Sequence, residues 1–483
     1  MSRAKLFIEN FFAYGFITVL NKIIPFLLLP VITRMLSDPS DYGVYDMYNT
    51  IVGFGSPLAM LGMYDAMFRE YFEKDNKQYR YDVTSTANRI VVISSVIIIS
   101  ILLVFNKPFS GLLYGNDKYG TIVIFAAIQI IISTNSTIVA APTRIQNHKK
   151  VYIASGLLSS TSQYLLILLL IYFGYSYLGM IYANIISSIL LLCFFWILNK
   201  NFFLHGKFNK NIAKELFKIG IPLLPTFLIY WVYNSMDKVM ITNMLGISEL
   251  GIYSIGSKFA SVSLFIYTAF AGGWSYFSFS TMKDKDQVSL NSKVFDYLGL
   301  VSYLSLYVTY PFTRPIFSVL FPKSYISGAD VIPYLYMSPL FLMLFQIAAN
   351  QFLIIKKSYW STITLSIGAI LNVILNYILI KPFGIEGAAI ATLVGYMVSV
   401  SIVCMLTSHM NLMKITKRFL LVSYIFILYL FICKILIKNN VLYLIMLSII
   451  CIVSSLLLYR REIKMLYNKL LSVIAKRNNN RKE

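Results

Sequence analysis

The chain has 483 residues, of which 58% are hydrophobic and 13% are charged. A water-soluble protein of this size could not bury so much apolar surface, so the composition excludes a soluble enzyme or adaptor and predicts an all-α polytopic membrane protein. The formal net charge of +22 does not indicate nucleic acid, because most lysines and arginines fall in alternate loops, as the positive-inside rule requires. We predict about fourteen transmembrane helices, both termini in the cytoplasm, and anionic lipids as partners.

The first predicted span, residues 11–33, carries a lysine near its middle. At 100° per residue, Tyr14, Thr18, Asn21 and Lys22 lie on one face of the helix. A charged side chain at that depth is unfavourable in lipid. The polar face is therefore predicted to point into protein or water.

Sequence blocks of the first half return in the second half. Residues 32–36 and 42–45 are echoed by residues 241–245 and 250–253, about 208 residues later, with one residue deleted between the blocks. Two further blocks repeat at similar offsets in the same order. The repeat predicts two pseudo-symmetric lobes of six helices each, followed by two additional C-terminal helices.

The predicted organisation has four parts. Residues 1–210 form an N-terminal lobe of spans 1–6 with a hinge linker, residues 211–415 form a C-terminal lobe of spans 7–12, residues 416–459 form two appended spans, and residues 460–483 form a basic amphipathic cytoplasmic tail.

Span 2 contains a Gly-Phe-Gly-Ser-Pro sequence at residues 53–57. Proline and glycine favour a kink at this point, either as a plain bend or as part of a ligand site. The span ends near Asp65 and Arg69, whose spacing of four residues predicts a helical ion pair. Such a pair is either structural or part of a gate that responds to protons or cations.

Spans 7 and 8 carry the other intramembrane charges. Tyr230, Asn234, Asp237 and Lys238 reproduce the spacing of the polar face of span 1, and Lys258 lies in span 8. Asp237 and Lys258 are about equally far from the connecting loop, so antiparallel helices bring them to one depth. We predict an Asp237–Lys258 ion pair, which either fixes the two spans structurally or belongs to a transport site.

Signals for catalysis are absent from the sequence. There is no Walker loop, dinucleotide fingerprint or HExxH motif, and the three histidines lie in predicted cytoplasmic loops. The four cysteines lie in apolar runs without metal-ligand spacing and are interpreted as packing residues. The sequence therefore predicts neither an enzyme nor a cofactor.

Two blocks carry a family resemblance. Residues 29–36 and 41–45, together with residues 237–253, resemble the polysaccharide-transport (Wzx-type) branch of the multidrug/oligosaccharidyl-lipid/polysaccharide (MOP) exporter superfamily. The resemblance implies a flippase in the bacterial inner membrane. Its substrate would be an undecaprenyl-diphosphate-linked oligosaccharide repeat unit, moved by alternating access for O-antigen or capsule-type polysaccharide. It also implies a polysaccharide polymerase and chain-length proteins as partners.

The intramembrane lysines fit such a substrate. Lys22, Lys238 and Lys258 would give the space between the lobes a positive charge that attracts a diphosphate. Two alternatives stay open. One is a flippase for the peptidoglycan lipid precursor, which shares the diphosphate. The other is a cation-coupled multidrug exporter of the same superfamily, for which twelve spans and a carboxylate-rich cavity are expected.

Overall fold

The computed structural model describes residues 23–268, 270, 274, 278, 281–282, 284–437, 440–462 and 464. This part of the chain contains helices and no β-strand. Ten of its helices are long and apolar enough to cross a membrane, or eleven if one bent pair counts as a span. The predicted all-α polytopic fold is confirmed.

The helices are numbered in chain order. They are α1 (Ile23–Met35), α2 (Pro39–Met60), α3 (Met63–Tyr71), α4 (Lys77–Val104), α5 (Asn106–Tyr114), α6 (Gly120–Ile145), α7 (Lys149–Tyr172), α8 (Ser176–Leu204), α9 (Lys210–Gly220), α10 (Leu224–Leu245), α11 (Ile247–Ala260), α12 (Gln287–Leu320), α13 (Ile332–Ile354), α14 (Tyr359–His409), α15 (Lys417–Ile432) and α16 (Val441–Leu458).

Two faces of the molecule are distinguished by their turns. The turns that precede α2, α6 and α11 and follow α12 lie on one face, and those that precede α4, α7, α9 and α14 lie on the other. The second set carries most of the loop lysines and arginines. We name the first the outer face and the second the inner face, following the positive-inside rule.

The first group of helices packs around α6, which contacts α2, α4 and α8. The second group packs around α14, which contacts α10 and α13, while α11 contacts α13. Helix α9 lies between the two groups in sequence and packs on α3 and α4. At the contact between α2 and α6, a Cβ on Gly55 would overlap the Ile130 side chain, a close approach of the kind that small residues permit between membrane helices.

The break in the second span lies further along the chain than the sequence predicted. Helix α2 continues through Pro57, and the chain leaves helical geometry at Leu61 and Gly62, where α2 and α3 meet at a 40° bend. Gly62 has a φ of +67°, and a Cβ there would lie 2.4 Å from the carbonyl oxygen of Gly220. The predicted break at residues 53–57 is therefore wrong.

The longest helix is two helices in succession. Within α14, Gly384 has φ 60° and ψ −144°, which is outside the helical region. Glycine adopts this geometry without a Cβ clash. The break falls between predicted spans 11 and 12, as the sequence indicated.

The last two helices, α15 and α16, pack against α12. The Tyr303 and Ser423 hydroxyls are 2.9 Å apart, and the Tyr459 hydroxyl donates to Asp296. Near the outer face, Lys434 forms an ion pair with Glu386, which also accepts a hydrogen bond of 2.9 Å from Tyr334. These contacts attach the additional helices to the second group.

Candidate functional site

Helices α2 and α11 cross at two glycines near the outer face. A Cβ on Gly43 would lie 2.1 Å from the carbonyl oxygen of Ile247, and a Cβ on Gly251 would lie 1.9 Å from that of Pro39. Any larger side chain would push the helices apart. Gly43 and Gly251 occupy equivalent positions of the repeat, so the two groups meet through equivalent surfaces.

An ion pair lies one turn deeper in the same contact. The Lys238 ammonium of α10 is 2.8 Å from Asp46 Oδ2 of α2. The Ser254 hydroxyl of α11 donates to the same oxygen at 2.8 Å. The Asp46 side chain is only 3% exposed, so its charge depends on these two partners. Asp46 therefore joins three helices from both groups.

The second carboxylate of the site stays within the second group. Asp237 accepts hydrogen bonds from the Tyr253 hydroxyl and, at 2.8 Å, from the backbone N–H of Lys238. The predicted Asp237–Lys258 ion pair is not formed. Equal depth in the membrane was not sufficient to form the pair, because Asp237 contacts the face of α11 that carries Tyr253. Lys258 lies about 140° around that helix from Tyr253. Asp237 faces the tyrosine side of that helix.

Lys258 forms no ion pair with any residue that the structure describes. Its side chain is exposed in the folded chain and lies within electrostatic range of Asp46 and Lys238. Asn234, one turn inward from Lys238 on α10, is also exposed and donates to the carbonyl of Tyr230 at 2.7 Å. Lys258 is thus the ammonium of this region that a ligand can reach without breaking a described ion pair.

The remaining predicted site residues fall into two sets: those outside the described residues, and a pair whose predicted ion pair is not formed. Tyr14, Thr18, Asn21 and Lys22 lie outside the described residues.

The predicted Asp65–Arg69 ion pair is wrong, because Arg69 lies 3.4 Å from Glu70 and 3.6 Å from Glu73. Glu70 is buried, whereas Asp65 is exposed. The Arg69 guanidinium is 60% exposed and lies between Glu70 and Glu73, while Arg144 is the cation within electrostatic range of Asp65. Asp65 and Arg69 are not close to the Asp46 site in sequence or in any described contact.

Sequence reasoning did not include Asp46 among the site residues. The signal was present, since Asp46 is an ionisable residue inside a predicted span and directly follows the repeated block at residues 42–45. The described site holds two carboxylates, Asp46 and Asp237, beside two ammonium groups, Lys238 and Lys258. With all four groups ionised, their formal charges sum to zero.

The two groups of helices are joined near the outer face. Besides the Asp46 contacts, Arg34 donates to the carbonyl of Val319 at 2.8 Å, and Asn243 donates to that of Leu112 at 2.8 Å. Among the described residues, the innermost polar bond between the groups is that from Trp231 Nε1 to the Thr50 carbonyl, at 3.2 Å. The described conformation is therefore closed at the outer face.

Comparison with solved structures shows that other membrane transporters share this fold. The lipid II flippase MurJ in an inward closed conformation superposes with a TM-score of 0.70 over 93% of this chain and 99% of that chain, at 14% sequence identity. A multidrug resistance MATE family transporter of the MOP superfamily in an inward-facing conformation gives a TM-score of 0.62 over 81% and 94%, at 15% identity. At these identities the likeness concerns the fold.

A family model defines the chain more closely. The model described as polysaccharide biosynthesis protein matches residues 31–327, which is more than half of the chain. The chain belongs to this family. The resemblance found in the sequence is thereby confirmed.

One curated relative is also similar in sequence. An uncharacterized membrane protein of Methanocaldococcus jannaschii is 30% identical over 197 residues, which are 40% of this chain and 38% of that protein. The match spans well under half of the relative's length. The match shows that a membrane protein is among the chain's relatives, and it says nothing about activity.

Proposed function

We propose that this protein is a flippase for an undecaprenyl-diphosphate-linked oligosaccharide repeat unit. It carries the unit from the inner to the outer leaflet of the bacterial cytoplasmic membrane, for O-antigen or capsule-type polysaccharide. The family match to polysaccharide biosynthesis proteins and the MOP fold support this class of substrate and motion. The observation that carries the proposal is the Asp46–Lys238 ion pair at the contact between the two groups of helices, beside the accessible Lys258.

The Asp46–Lys238 ion pair would couple substrate binding to opening of the outer face. A diphosphate that enters from the inner side meets Lys258 first and then competes with Asp46 for Lys238. It bears more negative charge than one carboxylate and more acceptor oxygens, so charge-assisted hydrogen bonds to both lysines are favoured. Once Lys238 leaves Asp46, the ion pair between α2 and α10 is lost, and the contact that holds the outer ends together is weakened.

Release restores the closed state. When the lipid head leaves toward the outer leaflet, Asp46 is again the nearest anion for Lys238, and the glycine contact between α2 and α11 re-forms. A ligand shifts such an equilibrium only by its difference in affinity between the two states. The competition between diphosphate and Asp46 supplies that difference, because the lysine is free for the ligand only when the outer contact is open.

A second candidate is transport of the peptidoglycan lipid precursor. The structural likeness to a lipid II flippase favours it, and the diphosphate chemistry at Lys238 and Lys258 would be the same. The polysaccharide family match favours the first candidate. A cation-coupled drug exporter would need no diphosphate site, so Lys258 would be dispensable for it.

Deletion of the gene followed by analysis of lipid-linked glycans tests the proposal. We expect repeat units to accumulate on undecaprenyl diphosphate, inaccessible to a sugar oxidant added outside the cell, with loss of surface polymer. Re-expression of the wild-type chain should restore export. Normal surface polymer in the deletion strain would contradict the proposal. Rescue of a strain depleted of its lipid II flippase would instead favour the second candidate.

The cellular setting follows from the same proposal. We expect the chain to lie in the cytoplasmic membrane with both termini inside. Its product would pass to a polysaccharide polymerase and its chain-length protein. Anionic lipids would surround the basic inner face. Fusion reporters at each terminus test the orientation, and an outward-facing terminus would contradict it.

A further inference from the structure

A pocket with basic side chains in its lining lies at the inner face of the first helix group. It has a volume of about 320 Å³ and is lined at one side by Lys77, Arg80 and His148. Its lining comes from the ends of α3, α4 and α8 and from the turn between α6 and α7. Among the residues that the structure describes, no carboxylate lines the pocket, and it shares no residue with the Asp46–Lys238 site. This volume is at the lower end of the range for small-molecule sites, about 300–1,000 Å³.

The helix dipoles add to the positive charge. Helix α4 begins at Lys77 and α7 begins just after His148, and neither helix has an acidic residue in its first turn. The side chain of His148 does not cap α7. The Asn76 side chain already caps α4 by accepting from the Tyr79 N–H, whereas no side chain caps α7. The N-terminus of α7 is therefore the one that is suited to bind an anion. This end of the first helix group therefore favours a bound anion.

Arg80, which lines the pocket, has one side-chain nitrogen without a hydrogen-bond acceptor. One end of its guanidinium is 2.8 Å from Asp75, whose side chain is 95% exposed, and its plane lies over the Tyr71 ring at 5.1 Å. Its Nε is buried and has no hydrogen-bond partner among the residues that the structure describes. Buried donors are nearly always paired. An acceptor from a ligand would satisfy this donor.

We propose that this pocket binds a phosphate group, and that the phosphate belongs to a lipid headgroup of the inner leaflet. Arginine and lysine are suited to phosphate, the first through its fork of donors and the second as a point charge. Leu198 and Phe202 at the end of α8 provide an apolar wall next to the bilayer. The site would hold a lipid beside the transporter and is separate from the proposed path of the diphosphate substrate.

Calorimetric titration of the purified full-length protein in detergent tests this site. The probes are dihexanoyl phosphatidylglycerol, dihexanoyl phosphatidylcholine and inorganic phosphate. We expect the anionic lipid to bind most tightly. The Lys77→Gln/Arg80→Gln protein should bind it about 10- to 100-fold more weakly, as expected for loss of charged hydrogen bonds. Lys214→Gln, which removes an exposed lysine from α9 on the same face, should change affinity less than twofold.

The outcomes separate the sources of the phosphate and the two proposals. Inorganic phosphate binding as tightly as the lipid, with the same loss in the double variant, would assign the pocket to a soluble phosphate. Equal binding by the wild type and the double variant, or an equal loss in Lys214→Gln, would overturn the site. If Arg80→Gln does not fold, Lys77→Gln and His148→Gln are compared in its place. Lys258→Gln should bind the lipid normally, since that residue belongs to the other site.

Discussion

Asp46 and Ser254 are equivalent residues of the repeat, 208 positions apart, and the Ser254 hydroxyl donates a hydrogen bond of 2.8 Å to the Asp46 carboxylate. The two halves of the chain thus touch at corresponding points. One half supplies an acid there and the other a hydroxyl. The difference leaves a charge at the contact that Lys238 pairs with, so the closure near the outer face is held by a group that an anionic ligand can displace.

The glycine contact predicts a change in conformation on a small substitution. Gly43→Ala places a Cβ against the Ile247 carbonyl, and overpacking of this kind costs about 1–3 kcal/mol. We expect the outer ends of α2 and α11 to separate in a larger share of molecules. Spin labels at positions 37 and 249, in a protein whose four cysteines are replaced by serine, report the distance by pulsed electron paramagnetic resonance.

Gly53→Ala is the matched control for this substitution. Gly53 lies in the same helix, and a Cβ there would have no atom within 4 Å. The distance distribution should match that of the parent protein. An unchanged distribution in Gly43→Ala as well would show that the glycine contact does not hold the outer face closed.

The buried ion pair predicts that replacing one partner lowers stability more than replacing both partners together. Lys238→Met leaves Asp46 buried beside a methyl group, and removal of one partner of a buried pair costs about 3–5 kcal/mol. Asp46→Asn/Lys238→Met removes both charges and should recover most of the lost thermal stability. Thermal unfolding in detergent measures both. The exposed Lys118→Met is the control and should melt like the wild type; a double variant no more stable than Lys238→Met would contradict the pairing.

The accessible lysine predicts loss of transport without loss of protein. Lys258 has no described ion pair, so Lys258→Ala should leave stability nearly unchanged and reduce surface polymer at least tenfold. Lys22→Ala should have a similar effect, an expectation based on the sequence alone. Membrane protein levels are measured by immunoblot, with Lys107→Ala, on an exposed residue of α5, as control. Full export by both variants would remove the lysines from the transport mechanism.

The cap at the N-terminus of α2 predicts that the free energy of unfolding depends on the side chain at position 38 and on pH. Hydrogen bonds from the Ser40 side chain and, at 2.7 Å, from the Ser40 N–H lower the pKa of the Asp38 carboxyl below its ordinary value of 3.8. Asp38→Ala should lower the free energy of unfolding by about 0.5–2 kcal/mol, whereas Asp38→Asn, also a good cap, should not.

The sign of the pH effect follows from the lowered pKa. The ionised cap stabilises the fold at neutral pH, and its contribution falls as the pH drops through the acidic range toward the folded-state pKa. The difference in unfolding free energy between wild type and Asp38→Ala should therefore shrink near pH 3. A difference that stays constant from pH 7 to pH 3 would exclude an ionised cap.

Much of the architecture could be predicted from the sequence, because its main signals are local. Apolar runs of membrane length gave the helices, and the break after Pro382 in α14 was indicated by the Phe-Gly pair at residues 383–384. The repeat at Gly43 and Gly251 was visible as two similar blocks. What the blocks could not show is that the two glycines contact each other.

The parts that were missed depend on tertiary contacts. Pro57 removes one hydrogen bond from α2 without ending it, since neighbouring helices hold the segment. The break occurs instead at Gly62, where the chain must pass within contact distance of Gly220. Likewise, the depth of Asp237 in the membrane did not reveal its rotation toward Tyr253. The partner of Lys238 came from the other half of the chain, at Asp46.

The most direct test of the account asks whether the Asp46–Lys238 contact opens for the substrate. Spin labels at positions 37 and 249 are measured in nanodiscs with and without undecaprenyl diphosphate, for the wild type and for Lys258→Gln/Lys238→Met. The account predicts that the ligand increases the outer distance in the wild type and has no effect on the double variant. An outer distance in the wild type that does not respond to saturating ligand, or an equal response in both proteins, would contradict it.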